Sequence, residues 1–363
     1  MLFAAAALLL TPMAWDHLTA GASQGEPPLT QDSLEIGPSP SPTAEEVTKS
    51  PMPPPPSVPV PEPLVTSISI SAIGDCTLGS GIGFAHQGSI GDYYDRFGPE
   101  YFFQGVTEVL STDDLTIANL EGPLTQQGEP TPKTFNFRAP AEYVEIVKLG
   151  GVEAVTLANN HSMDYGEIGF QDTQATLDQA GITHFGFDDL AVVEVKGIRI
   201  GLLGDLGWDN TEETRSSLAQ RLQELDADIK IVSFHWGIEG EHTQNAAQVS
   251  LAHFAIDSGA DLVLGHHPHV LQGVETYNGR LIAYSLGNFA FGGNQNPSDT
   301  DSMIFQVHFE LTGSVVTGLD SQIIPVSISS IGHPNDYSPV VLDGAERDRV
   351  ERKVLGSSTN YPV

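Results

Sequence analysis

Residues 67–73 alternate polar and apolar positions with a period of two, the pattern of a strand with one buried face. Short apolar runs at 114–118, 152–158, 182–187, 191–195, 198–203, 229–234 and 261–264 also read as strands. Longer stretches with helical spacing predict helices over 141–149, 167–180, 211–227 and 244–258, closed by glycines at Gly150-Gly151, Gly181 and Gly259. Hairpins are expected at Lys196-Gly197, at Asn278-Gly279 (a favoured two-residue loop) and around Thr312-Gly313. Strands alternating with helices place the chain in the α/β class. Patterning weakens from about residue 327, where only 346–353 suggests a short charged helix.

The first 64 residues follow none of these periods. Residues 1–14 are apolar but too short for a comfortable membrane span. They resemble a signal-peptide core, with Ala20-Gly21-Ala22 as a cleavage site, although no Lys or Arg precedes Lys49. We therefore read 1–25 as a signal peptide or membrane anchor and expect an exported, extracytoplasmic protein at a bacterial cell surface. Residues 26–64 hold 13 of the 25 prolines and cannot build a core, so they read as a disordered, extended linker reaching on the order of 100 Å. The folded domain is expected over 65–330, with 331–363 as a C-terminal tail.

Composition then narrows function. A net charge of -32 with no basic stripe argues against nucleic acid. A single cysteine, Cys76, rules out an intramolecular disulfide framework.

Chemistry gathers where the predicted strands end. Leu262-Val263-Leu264 runs into Gly265-His266-His267-Pro268-His269, and residues two apart on a turning backbone can face one point. Imidazole is the commonest metal ligand, so His267 and His269 are candidate ligands, while which two of the three histidines bind stays open. Asp75, Glu121, Asn160 and His235 each lie just past a predicted strand as well. Loops after parallel strands collect at one sheet edge, so these six groups can share a cleft. Six O and N donors with a carboxylate able to bridge suit two divalent cations about 4 Å apart. His161 is the candidate to donate a proton to a leaving group or to steady negative charge in the transition state, with Asp164 either orienting its ring or capping the helix that follows. Arg138, scarce as a cation here, either meets an anionic substrate group or pairs with a surface acid; Asn288 is the second candidate for substrate binding. His253, inside a predicted helix, reads as packing or surface rather than a ligand.

The ordered set GDCTLG, NLEGPLT, FNFRAP, LANNHSMDYG, HWG, GHHPHVLQG and YSLGNF, spread over residues 66–295, resembles the CapA family of poly-γ-glutamate capsule synthesis proteins, which is similar to calcineurin-like metallophosphoesterases. The resemblance implies a four-layer αββα metallophosphoesterase-like sandwich and a two-metal site, with Mn, Zn or Fe as the ions. By position it makes Asp75, Glu121, Asn160, His235, His267 and His269 the ligands, Glu121 the bridge, and His161 the histidine of an Asn-His pair. Two departures stand out from the phosphoesterase pattern: Thr77 where a second histidine ligand is expected, and Glu121 in place of an aspartate. The implied function is a metal-dependent hydrolase-type protein of capsule synthesis. It would act on an anionic small molecule or polymer beside membrane-bound polyglutamate synthase components. A general phosphoesterase unrelated to capsule and a non-catalytic surface assembly factor are the alternatives.

Overall fold

The computed structural model describes residues 64–362 and, before them, Gly37 alone; the signal or anchor segment expected at 1–25 and most of the expected linker lie outside the described residues. Among the described residues no helix is long and apolar enough to cross a membrane.

Two sheets carry the fold. The eight-stranded sheet runs Val340–Val341, Val315–Ser327, Asp301–Thr312, Val65–Thr77, Leu115–Leu120, Ala154–Thr156, Thr183–Phe185, with Asn288–Phe291 paired beside Val65–Thr77. Its centre is parallel, Ala72 facing Ile117 and Ile117 facing Ala154, whereas Asp301–Thr312 runs antiparallel to Val65–Thr77. The six-stranded sheet runs Val274–Tyr277, Arg280–Ala283, Leu262–His266, Ile229–Trp236, Ile198–Gly207, Ala191–Val195, parallel except at its two edges.

Period-two alternation sorts the side chains into layers. Ile70, Ile117 and Phe305 of the first sheet meet Ile200, Ile231 and Leu264 of the second in one inter-sheet core. The opposite face of the first sheet takes Ile146, Val147 and Leu177 from the helices Val144–Leu149 and Gly166–Ala180. The opposite face of the second takes Leu218, Leu222, Leu251 and Ala255 from the helices Glu212–Glu224 and Ala246–Asp257. The result is the four-layer αββα, metallophosphoesterase-like sandwich that the sequence resemblance implies.

The predicted elements are present with shifted ends. Two strands run further than their apolar runs: Val65–Thr77 includes Asp75, and Ile229–Trp236 includes His235. Both polar residues still pair across the ladder, Asp75 with Asn119 and His235 with His266. The weakly patterned tail is drawn into the fold. Val340–Val341 adds a strand, and the helix Gly344–Leu355 seats Val350 and Val354 in the inter-sheet core.

That helix is fastened by charge. Both Asp301 oxygens accept from Arg349 at 2.6 and 2.7 Å, and Lys353 donates to Asp301 at 2.8 Å. Burial works to raise the Asp301 carboxyl, but these hydrogen bonds outweigh it and hold it below its ordinary value. A depressed carboxyl stabilises the fold above its unfolded pKa and loses that contribution as pH falls through the folded one. Arg349→Ala should therefore cost about 1 kcal/mol at pH 7. In urea melts that gap should narrow as pH falls below the ordinary 3.8 of Asp301; a gap that stays constant from pH 7 down through the acid limb would rule out Asp301 as the cause.

Candidate metal centre

The parallel strands of both sheets end at one edge, and the candidate residues meet there. Asp75 is fully buried. Its Oδ1 accepts from Asn119 Nδ2 at 2.8 Å and its Oδ2 from the His267 backbone N–H at 3.3 Å. His266 Nδ1 and His269 Nδ1 each stand 3.2 Å from its carboxylate. Gly74 lets the strand come this close, since a Cβ there would lie 2.1 Å from the carbonyl oxygen of Gly287.

Glu121 is as deeply buried. Thr77 Oγ1 donates to its Oε2 at 3.4 Å, and Oε1 has no hydrogen-bond partner. That orphaned oxygen lies 3.6 Å from His235 Nε2 and 3.8 Å from His269 Nε2. His235 Nε2 is 2.9 Å from Asn160 Oδ1. The His235 and His267 rings are 4.7 Å apart, and Trp208 sets its indole edge-on to His267 at 4.6 Å.

Three donor groups result. Glu121, His235 and His267 form one, Asp75, Glu121 and His269 a second, and Glu239, His267 and His269 a third, each with ligating atoms within 4.8 Å of one another. Glu121 is common to the first two, the position a bridging ligand would need. His266 is in none of the groups and buttresses Asp75 from behind. A buried carboxylate oxygen with no hydrogen-bond donor, set among imidazoles, fits a divalent cation, because burying an anion without such a partner is costly.

Burial makes the same demand on the ionisable groups. Burial pushes the Glu121 carboxyl up to about 8 and the His267 imidazole down to about 4. His235 is likewise driven well below its ordinary value by burial. Burial opposes charge on His269 too, but Glu121 and Asp75 overcome it and lift the ring to about 10. Asp75 resists its own burial through hydrogen bonds from His266 and His269, which hold its carboxyl well down.

The remaining candidates fall as follows. His161 Nδ1 lies 2.8 Å from Asp164 Oδ2, so Asp164 orients the ring; it does not cap the next helix, whose N-cap is Tyr165. Asp164 also accepts from Phe137 N–H at 2.6 Å and pairs with Lys133. Arg138 is exposed, stacks over Tyr165 at 4.4 Å and lines a neighbouring cavity of about 420 Å³. Among the described residues it has no carboxylate partner, which removes the surface-acid reading. Asn288 is 3 % exposed, with Oδ1 2.9 Å from His269 Nδ1 and Nδ2 donating to His269 O at 3.2 Å, so its amide positions the histidine. His253 stacks on Tyr277 and bonds Glu275, away from the cluster.

Sequence reasoning passed over four residues. Asn159 donates to Asn119 Oδ1 at 2.9 Å and accepts from His161 N–H at 3.0 Å, so the two asparagines form a frame behind Asp75 and His161. Lys133 donates to Asn160 O at 2.7 Å. Glu239 flanks His267 and His269. The one available signal was adjacency: Asn119 stands two residues before Glu121, and Asn159 next to Asn160.

A cavity of about 310 Å³ opens on the cluster, lined by Glu121, His161, His269, Glu239 and the rings of Phe84, Phe135, Phe137 and Phe291. The layers and this edge define a four-layer αββα protein with a buried carboxylate–histidine cluster. More narrowly, the chain belongs to the bacterial capsule synthesis protein PGA_cap family, whose model matches residues 69–293. It is 30% identical over 317 residues to capsule biosynthesis protein CapA of Bacillus anthracis, covering 79% of this chain and 72% of that one. It is 31% identical over 289 residues to PGA biosynthesis protein CapA of Bacillus subtilis (strain 168), covering 73% of each. Among solved structures it is similar to a hypothetical protein from Thermus thermophilus, at 15% identity and TM-score 0.46, covering 71% of this chain and 99% of that one.

The two raised groups set a stability slope. The neutral Glu121 carboxyl is the form the fold tolerates, so stability falls as pH rises from its ordinary 4.5 through about 8. His269 contributes stability present below its ordinary 6.5 and lost as pH rises toward about 10. Chelator-treated protein should thus lose on the order of a few kcal/mol, up to about 5, between about pH 6.5 and pH 9. Glu121→Gln or saturating Mn(II) should flatten that slope in denaturant melts. A slope unaffected by both would remove the cluster as its origin.

Proposed function

We propose that this protein acts in poly-γ-glutamate capsule synthesis at the extracytoplasmic face of the cell, through a metal-dependent, hydrolase-type site. The observation that carries the reading is the orphaned Oε1 of Glu121 among His235 and His269, inside a chain of the capsule family. The proposed ligands are Asp75, Glu121, Asn160, His235, His267 and His269, holding two divalent ions of the Mn, Zn or Fe kind. Bound there, the ions would supply Lewis acidity, polarising a phosphoryl or carbonyl oxygen and lowering the pKa of a water.

The chain's own groups do the rest. Asp164 fixes His161 through Nδ1 and leaves Nε2 free to carry a proton to a leaving group. Lys133 pairs with Asp164 and holds it in place. The four phenylalanines thin the water around the cluster and so strengthen each electrostatic contact. Arg138 offers a fixed cation to an anionic chain or small molecule entering from the neighbouring cavity. Membrane-bound polyglutamate synthase components are the proposed partners.

With Mn(II), the purified protein should hydrolyse members of a phosphodiester and γ-glutamyl amide panel. His161→Ala should lower kcat about 10²–10⁴-fold without loss of bound metal. In a host that needs the gene for capsule, wild type should restore cell-associated polyglutamate and His235→Ala should not. Full restoration by His235→Ala would sink the metal-dependent reading.

A further inference from the structure

Glu239 is the one member of the three donor groups with no part in the proposed ligand set. It sits on the loop leaving the strand Ile229–Trp236, with its carboxylate within 4.8 Å of ligating atoms of both His267 and His269. The loop is tied to the histidine turn. Gly240 N–H donates to Pro268 O at 2.8 Å, and Gln272 Nε2 donates to Glu241 O at 2.8 Å. Gln272 is itself held by Gln248 at 2.9 Å. Gly237, at φ 82, packs so closely on Gln248 that a Cβ would lie 2.9 Å from its amide nitrogen. Glu239 is therefore on an exposed but anchored loop, not on a free one.

Counting charges and donors gives it a role. Two divalent cations would bring four positive charges against the two of Asp75 and Glu121, one of them shared. The rest of the cavity wall offers no other carboxylate besides Glu121: Thr77 gives its hydroxyl to Glu121, His161 is held by Asp164, Asn294 Oδ1 accepts from Asn296 N–H, and the four phenylalanines have no donor atoms. Glu239 is the further carboxylate on that wall. A second observation points to a ligand here: His267 is 8 % exposed, and its Nδ1 is buried with no hydrogen-bond partner.

We infer that Glu239 is a ligand of a cation that it shares with His267 and His269, closing that site from the solvent side. This rests on the metal-dependent reading above. A carboxylate that reaches over the open face adds the third anion and leaves the remaining positive charge for substrate. The cation it touches is the more exposed of the two, so its binding should depend most on this one side chain.

Mn(II) titration of the metal-free full chain, by calorimetry and electron paramagnetic resonance, tests this. Wild type should take two equivalents with a spin-coupled pair at saturation. Glu239→Gln should take one equivalent as wild type does and bind the other at least 10-fold more weakly, losing the coupled signal at intermediate Mn(II). Its metal-free melting temperature should match wild type, since Glu239 is exposed. Two equivalents bound by Glu239→Gln as tightly as by wild type would overturn the assignment, as would a wild-type stoichiometry of one. Wild type that takes no Mn(II), Zn(II) or Fe(II) would overturn the metal reading itself, a distinct result.

Discussion

Two buried carboxylates with histidines as their ion-pair partners are the constraint around which this sheet edge is built. Asp75 and Glu121 are at most 1 % exposed, and among the described residues neither meets a lysine or arginine. Burying such a pair in a low dielectric is unfavourable unless something positive accompanies it. In the metal-free protein a proton fills that need, which is why burial raises Glu121 and why its neighbours raise His269. A cation displaces that proton, so metal affinity and pH are linked.

The fold reaches this arrangement by letting one face of the sandwich change character. Along Ile229–Trp236, Ile229 and Ile231 point into the inter-sheet core, Phe234 and Trp236 into the helix-covered face, and His235 continues the inward series. Along Leu262–His266 the inward series Leu262, Leu264 ends in His266. The cluster is thus the inter-sheet core carried one or two residues further, with apolar side chains exchanged for ligating ones. The same parity was readable from the sequence. It also explains why strand ends drawn at the last apolar residue fell short. An imidazole reads as a loop residue, yet His235 and His266 pair across the ladder like any others.

What the sequence could not carry is the support behind the ligands. The strands, most of the helices and the six positions past strand ends follow from local periodicity and from the rule that parallel strands end at one edge. Asn119 holding Asp75 across 44 residues, or Lys133 reaching Asp164 across 31, follows from packing alone. Asn288 belongs to the same support, its buried amide meeting His269 at both ends. His267 and His269 also adopt positive φ, 94° and 56°, which side-chain spacing does not reveal. Backbone of that kind is unfavourable for non-glycine residues and persists where surrounding structure imposes it. Here the imposing contacts are the Asp75 carboxylate on His267 N–H and Gly240 N–H on Pro268 O.

Net charge gives the local design its sense. At -32 the chain repels an anionic polymer at long range, yet the proposed reaction requires one to enter the cleft. Screening confines that repulsion to about 8–10 Å at physiological ionic strength, so what decides entry is the field within a few ångströms of the cluster. The chain supplies little positive charge there: Arg138 stands over Tyr165 in the neighbouring cavity, and Lys133 is paired with Asp164. Cations bound to Asp75, Glu121 and the histidines would therefore be the main positive charge holding an anion at this edge. The burial that makes those carboxylates unfavourable in the metal-free protein is what would leave each bound cation poorly screened and able to attract substrate.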